Sequence, residues 1–449
     1  MASGSRLTEL TNIIATETEK IDQFFAKNGI PHLSFDPDAP ADFPVPSSNA
    51  EIQEARRTIV NATKELHDLM VGPRETIRWM AWSYNDNLSL HAAYHFNVAK
   101  AVPVDGKASY VEISKATGLD EVNLKRLVRH AMTNRIFREP NEGFVAHTAA
   151  SRLLVDDSQM IDWVGLCSAD FFPAAAHTVD AMVKYPGSQE PGEAGFTVAW
   201  RHEGTPMFME IGKNPARAKR FGGAMSSLTG GEGYEVDYLV NGYPWADFGD
   251  ATFIDIGGSH GFVCVALAKK FPRMKFVVQD LPKTVADGPS KIPPELSDRI
   301  KFQAHDFYTD QPVKDADIYF FRWIIHNQSD KHHDFYTDQP YGTKILQALI
   351  PALKPGARII INDNCLPKPN TVDMWDEKIT RTMDVTMLEL LNARERDEDD
   401  YTELFKQADP RFKFLGARTS KGCRMHIMEA VWNPEGAATQ LTNSISQKL

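Results

Sequence analysis

A chain of 449 residues, 42% hydrophobic and 24% charged, is long enough for two or three domains and has the composition of an ordinary globular protein. Its formal net charge of -11 argues against a nucleic-acid partner, because phosphate binding needs a basic face. Cys167, Cys264, Cys365 and Cys423 form no CxxC pair, which argues against a disulfide framework or a zinc knuckle. With no apolar run of about 18 residues, no membrane partner is expected and the predicted location is cytoplasmic.

Residues 1–30 and 51–80 read as amphipathic helices. Between them "PHLSFDPDAPADFPVPSSNA" is rich in Pro, Asp and Ser, which predicts a surface linker. Another helix is expected within 84–100. The next segment, "SYVEISKATGLDEVNLKRLVRHAMTNRIFREPNEGFVAHTAASRLL", gives a short helix, a turn at Gly118 and a second helix from Asp120. Val122, Leu124, Leu127 and Val128 supply its apolar positions, and 136–137 and 143–145 read as short strands around "REPNEG". Helix, turn, helix and β-wing is a winged-helix pattern. Lys125, Arg126, Arg129 and His130 keep DNA binding open as residue chemistry, while the acidic chain favours a packing module. Residues 155–245 read as mostly helical, broken at "YPGSQEPGEAG" and "TGGEGYE", and suit either a roof over an active site or plain packing.

From 251 the texture changes. Apolar runs at 251–256, 276–278, 318–321 and 357–361 predict strands of a mostly parallel sheet covered by helices. An antiparallel pair is expected over 411–418 and 424–432. "HDFYTDQP" occurs twice, at 305–312 and 333–340. Two copies are too few for a solenoid; the second reads as an inserted loop whose Asp334 and Phe335 do not inherit the role of the first.

The stretch "ATFIDIGGSHGFVCVALAKKFPRMKFVVQD" fits a strand ending at Ile256, a turn over Gly257, Gly258 and Gly261, a helix from about Phe262 and a strand closing on Asp280. Glycines permit a tight turn and close approach to a ligand, a helix N-terminus offers N–H groups, and Asp280 could hold ribose hydroxyls. A dinucleotide or S-adenosylmethionine would suit this unit. However, D-x-G-G-x-x-G is not the dinucleotide fingerprint, and Asp255 at the strand end would oppose a pyrophosphate. A sulfonium cofactor is positive and tolerates acids, so S-adenosylmethionine is expected rather than NAD. Asp306 and Phe307 follow the third strand region, where a carboxylate can accept from an adenine amino group and a ring can lie against the base. In "YFFRWIIHNQSD" the apolar run ends at His326, at the carboxyl-end crevice of a parallel sheet. A histidine there can remove a phenol or enol proton as a methyl group arrives. Asp363, after "ARIIIN", and Glu395, in "NARERDEDD", are candidate orienters of its ring.

Over roughly 80–435 these motifs resemble, in order, the fungal branch of the caffeate and hydroxyneurotransmitter type of small-molecule O-methyltransferase. The resemblance implies an α/β fold, with a Rossmann-like class I methyltransferase domain at 246–435 preceded by a mainly helical winged-helix dimerisation domain at 81–155. Residues 1–80 would be N-terminal helices and linker, 156–245 a connecting and substrate-roof region, and 436–449 a flexible tail. "DIGGSHG" is similar to the family's glycine motif, "VVQDLP" to its ribose-binding strand end with Asp280 and Leu281, and "HDF" to its adenine contact. "FRWIIHNQSD" implies His326 as catalytic base with Arg322 beside the cofactor, while "NDNCLP" and "RER" imply the catalytic acids Asp363 and Glu395. The implied activity is metal-independent methylation of a hydroxyl on an aromatic or polyketide-like secondary metabolite, by a homodimer. Gln328 stands where relatives usually carry Trp, and the 331–342 stretch is altered. These departures set out an alternative, an S-adenosylmethionine-dependent pericyclase or dehydratase acting on a polyketide–amino-acid hybrid, in which His326 or Lys331 would polarise a carbonyl. A second alternative is a winged-helix DNA-binding regulator with a vestigial methyltransferase domain.

Overall fold

In the computed structural model, which describes residues 4–329 and 341–434, the chain opens with helices Arg6–Asn28 and Ala50–Trp82. Ser5 caps the first by accepting the Thr8 N–H, and Gly29 closes it at φ 65°. The second kinks where Pro73 lacks an N–H and Gly72 takes φ 76°. The Pro-rich linker does more than cross the surface. Its Val45 is buried with Ile21, Phe25, Ile52 and Ala55, and so pins the two helices together. Beyond the kink, Ile77, Trp79, Met80 and Trp82 are exposed.

The winged helix follows. Ser109 and Asp120 cap helices Tyr110–Thr117 and Glu121–Thr133, and strands β1 (Lys107–Ser109), β2 (Arg138–Asn141) and β3 (Phe144–Ala146) pair antiparallel in the order β1-β3-β2. The first wing strand therefore lies two residues beyond the 136–137 expected. Phe137 takes φ 69° and turns its ring into the core formed with Leu124, Val128 and Val145. Arg129 is engaged within the module. Its Nε and Nη2 donate to the two Glu139 carboxylate oxygens, both at 2.8 Å. That pairing holds the Glu139 carboxyl down at about 2.

A seven-stranded sheet carries the rest: β4 (Thr252–Ile256), β5 (Lys275–Asp280), β6 (Ile300–Ala304), β7 (Ile318–Arg322), β8 (Arg358–Asp363), β9 (Phe412–Arg418) and β10 (His426–Trp432). Its order is β6-β5-β4-β7-β8-β10-β9, with β4 to β8 parallel and β10 antiparallel to both neighbours. β7 is buried along its whole length, as expected for a strand covered on both faces. β6, "IKFQA", alternates instead and offers no apolar run. The chain leaves β4 toward β5 and returns to its other side at β7, so the switch point lies at the carboxyl ends of β4 and β7.

The chain divides into two units. One comprises 1–176, 208–228 and 373–376; the other comprises 177–207, 229–372 and 377–449. The 156–245 stretch is thus shared between them. Lys331 and the second "HDFYTDQP" copy lie outside the described residues. Among the described residues, no helix is long and apolar enough to cross a membrane.

Candidate active site

β7 ends at the switch point, and the turn that follows is clamped through its backbone from two sides. The register sets Arg322 of β7 opposite Asn362 of β8, so Asp363 stands level with the start of the turn. Its Oδ1 accepts the Trp323 N–H at 2.6 Å and its Oδ2 the His326 N–H at 3.1 Å. Buried Arg396 supplies the opposite polarity, donating from Nη1 to the Ile325 carbonyl at 3.0 Å and from Nη2 to that of Gln328 at 2.7 Å. His326 sits inside this clamp in the short 3-10 turn Ile325–Asn327.

The His326 side chain is 7% exposed and its Nδ1 lies 2.9 Å from Glu395 Oε1, whose side chain is wholly buried. Glu395 is itself held. Its backbone N–H donates to Asp384 Oδ1 at 2.9 Å, and Asn364 Nδ2 donates to Oε1 at 3.2 Å. A carboxylate partner makes Nδ1 the protonated nitrogen and leaves Nε2 as the lone-pair nitrogen. Burial works against an imidazolium here, but the charge and hydrogen bond of Glu395, helped by Asp363, outweigh it, and His326 titrates above an ordinary histidine. Burial pushes the Asp363 carboxyl up. Both acids thus meet the histidine residue in different ways: Glu395 takes the ring, and Asp363 takes the backbone.

The glycine turn is strapped to the end of β5. Gly257 and Gly258 donate their N–H groups to the Gln279 carbonyl at 2.8 and 3.1 Å. Asp280 accepts the Ser259 N–H at 3.0 Å on one oxygen and the Leu281 N–H at 2.7 Å on the other. Gly257 and Gly261 occupy φ 73° and 77°, and a Cβ at Gly258 would strike the Asp255 carboxyl. Asp255 lies beneath the turn, 1% exposed, where the Cys264 thiol donates to it at 3.4 Å and burial pushes its carboxyl up to about 7. This position suits supporting the turn better than touching a ligand. Leu281 and Asp306 are exposed at the strand ends; Phe307 is half-buried, its ring 4.9 Å from that of Tyr308. Arg322 is buried. Its Nη2 donates to the Tyr234 carbonyl at 2.6 Å and its Nη1 to Asn362, while Nε has no acceptor among the described residues. Burial pulls its guanidinium down to about 10.

A carboxylate offers about four lone-pair positions. With two taken by backbone N–H groups, Asp280 retains acceptor capacity for a vicinal diol, and Arg322 Nε retains a donor for an anion. The crevice therefore fits a nucleoside carrying a charged amino-acid end.

Several supporting residues escape a reading by motif. Arg396 is masked by its neighbour in "RER". Gln279 exchanges amide hydrogen bonds with Gln311 at 2.8 and 2.9 Å beneath the crevice, and a Gln inside the apolar strand "FVVQD" was the available signal. Gln328, which the sequence did single out as a departure, offers its amide oxygen to the Tyr308 hydroxyl at 2.7 Å. Among the described residues no group of three or more His, Cys, Asp or Glu is placed to hold a metal ion.

Comparison with known proteins agrees with this geometry. The model of the O-methyltransferase domain matches residues 192–410, and that of the O-methyltransferase dimerisation domain matches 82–157. Chlorophenol O-methyltransferase of Trichoderma longibrachiatum is 48% identical over 438 residues, covering 96% of this chain and 91% of that protein. The grayanic acid biosynthesis cluster O-methyltransferase of Cladonia grayi is 39% identical, covering 96% and 89%. The crystal structure of OxaC shares the fold, with a TM-score of 0.74 at 22% identity over 95% of this chain and 99% of that one. The chain belongs to the O-methyltransferase family. It is an S-adenosylmethionine-dependent enzyme and carries that family's dimerisation domain.

Proposed function

We propose that this enzyme methylates a phenolic hydroxyl of an aromatic or polyketide-like secondary metabolite, with His326 as general base. The observation that carries the reading is the buried His326–Glu395 pair at the end of β7, which leaves Nε2 as the accepting nitrogen. The name of the 48% identical relative supports a phenol as the acceptor class.

When bound, S-adenosylmethionine supplies an electrophilic methyl group on a positively charged sulfur. Asp280 would accept from its ribose hydroxyls, Asp306 from its adenine amino group, and Phe307 and Leu281 would pack on the base. Arg322 would meet its carboxylate. Gly257, Gly258 and Gly261 shape the turn, and Asp255 supports it from below. At the acceptor, His326 Nε2 takes the hydroxyl proton, and Glu395 stabilises the imidazolium through Nδ1–H. Asp363 holds the turn so that the imidazole meets the oxygen in one orientation.

Two copies of the chain would pair through the dimerisation domain and the apolar face containing Ile77, Trp79, Met80 and Trp82. Light scattering at micromolar concentration that returned a single 50.3 kDa particle would contradict this.

The reaction is tested by incubating the purified protein with a chlorinated phenol, a dihydroxybenzoate and S-adenosylmethionine labelled in its methyl group, then weighing the products. A product carrying the labelled methyl on oxygen is expected. If neither phenol is methylated, the phenol reading is overturned. Of the two departures that raised the cyclisation alternative, the Gln328 amide oxygen accepts from the Tyr308 hydroxyl at 2.7 Å, and residues 331–340 of the altered stretch lie outside the described residues.

A further inference from the structure

Beside His326 sits a polar hydrogen that no acceptor among the described residues receives. It belongs to Trp323, whose indole Nε1 is buried without a partner. Buried tryptophan N–H groups ordinarily find an acceptor, so each exception calls for a reason. The Trp323 ring lies 4.9 Å from the His326 imidazole, tilted by 54°, and 5.5 Å from the Tyr234 ring. Its backbone stands at φ 58°, in the left-handed region that a bulky side chain rarely enters. Asp363 holds it there through the same carboxylate that holds the His326 backbone. Strain of this kind persists where the surroundings over-determine it, and it clusters at ligand clamps.

We propose that the Trp323 indole N–H donates a hydrogen bond to the oxygen that His326 deprotonates, making Trp323 a second catalytic residue that stabilises the phenolate. The inference rests on the phenol-methylating reading above. As the O–H proton moves to His326 Nε2, negative charge gathers on the substrate oxygen. A fixed donor in a site shielded from water favours that charge more than the neutral hydroxyl. Asp363 thus sets the base and the donor together from one carboxylate. The acceptors favoured are acidic phenols, whose oxygen already carries charge when the methyl group is transferred.

The probe is 2,4,6-trichlorophenol bound with S-adenosylhomocysteine, which has no methyl to give, and the readout is the phenolate absorption band as a function of pH. In Trp323→Phe the band is expected to appear about one pH unit higher than in the wild type, a tenfold change in the proton equilibrium. The value of kcat/KM should fall about tenfold with it, with S-adenosylhomocysteine affinity and Tm kept. An unmoved midpoint in the folded variant overturns the proposal. Should Trp323→Phe not fold, indole-15N spectra of the wild type carry the test. One indole N–H resonance should shift downfield when the phenol complex forms, and no shift overturns the proposal. A wild-type complex with no phenolate band overturns the phenol reading and this inference together. A shifted midpoint in Trp323→Phe alongside full turnover in His326→Ala removes the base assignment and leaves Trp323 standing.

Discussion

His326→Ala is expected to lower turnover by roughly 10²–10⁴-fold, the range that a positioned general base supplies. Cofactor affinity, read by calorimetry, should be kept, because the glycine turn is fixed by Gln279 and Asp280 and not by the histidine. The same change leaves Glu395 buried, with the Asn364 amide still donating to its Oε1 and the imidazole gone. A melting temperature lowered by the equivalent of about 1–3 kcal/mol is therefore expected as well. Wild-type turnover in the variant would show that the proton leaves by another route.

Asp363→Ala should be damaging for a different reason. It deletes no group that meets the substrate, but it removes the shared acceptor of the Trp323 and His326 backbone N–H groups. Leaving the buried His326 N–H unsatisfied costs about 1–3 kcal/mol, and the part-buried Trp323 N–H adds to it. Without that clamp, Trp323 has lost a partner that held it at φ 58°, and the turn can relax. Displacing a catalytic group by about 1 Å can cost on the order of 10²-fold in rate. Loss of both stability and turnover is expected, read by thermal melts and single-turnover kinetics. Asp363→Asn should rescue little, since its amide nitrogen would face one of the two N–H donors. A variant with unchanged Tm and rate would mean that the turn is held by its other contacts alone.

The parallel sheet was legible because β4, β7 and β8 are apolar on both faces, and the glycine turn because its spacing and closing acid are local. β1 was invisible at three residues, and β6 was legible only as a strand region before Asp306, without bounds, because Lys301 and Gln303 alternate with its apolar positions. The misplaced wing strand has a single cause: Phe137 turns inward at positive φ, a choice made by the core and not by local preference. At the site, sequence brought forward His326, Asp363 and Glu395 but could not divide the labour between the acids. That division depends on β8 lying beside β7, which puts Asp363 against backbone N–H groups, and on Asp384 and Asn364 steering Glu395 to the ring. Arg396 and Trp323 carry no motif of their own. Their importance lies in hydrogen bonds made, or left open, at a turn whose shape only the fold defines.

The pairing of a buried base with Glu395 is tested most directly by the pH dependence of kcat/KM in the wild type and in Glu395→Gln. A histidine whose pKa is raised stays protonated, and unable to accept, until the pH passes that higher value. The wild-type rate should therefore climb through a midpoint above the ordinary histidine value of 6.5. In Glu395→Gln the amide oxygen can still accept from Nδ1–H, but the charge is gone and burial, which favours the neutral ring, prevails. The midpoint should then fall below that of the wild type. A wild-type midpoint at or below 6.5, or a limb that Glu395→Gln leaves in place, would contradict the assignment of the His326–Glu395 pair as the proton acceptor.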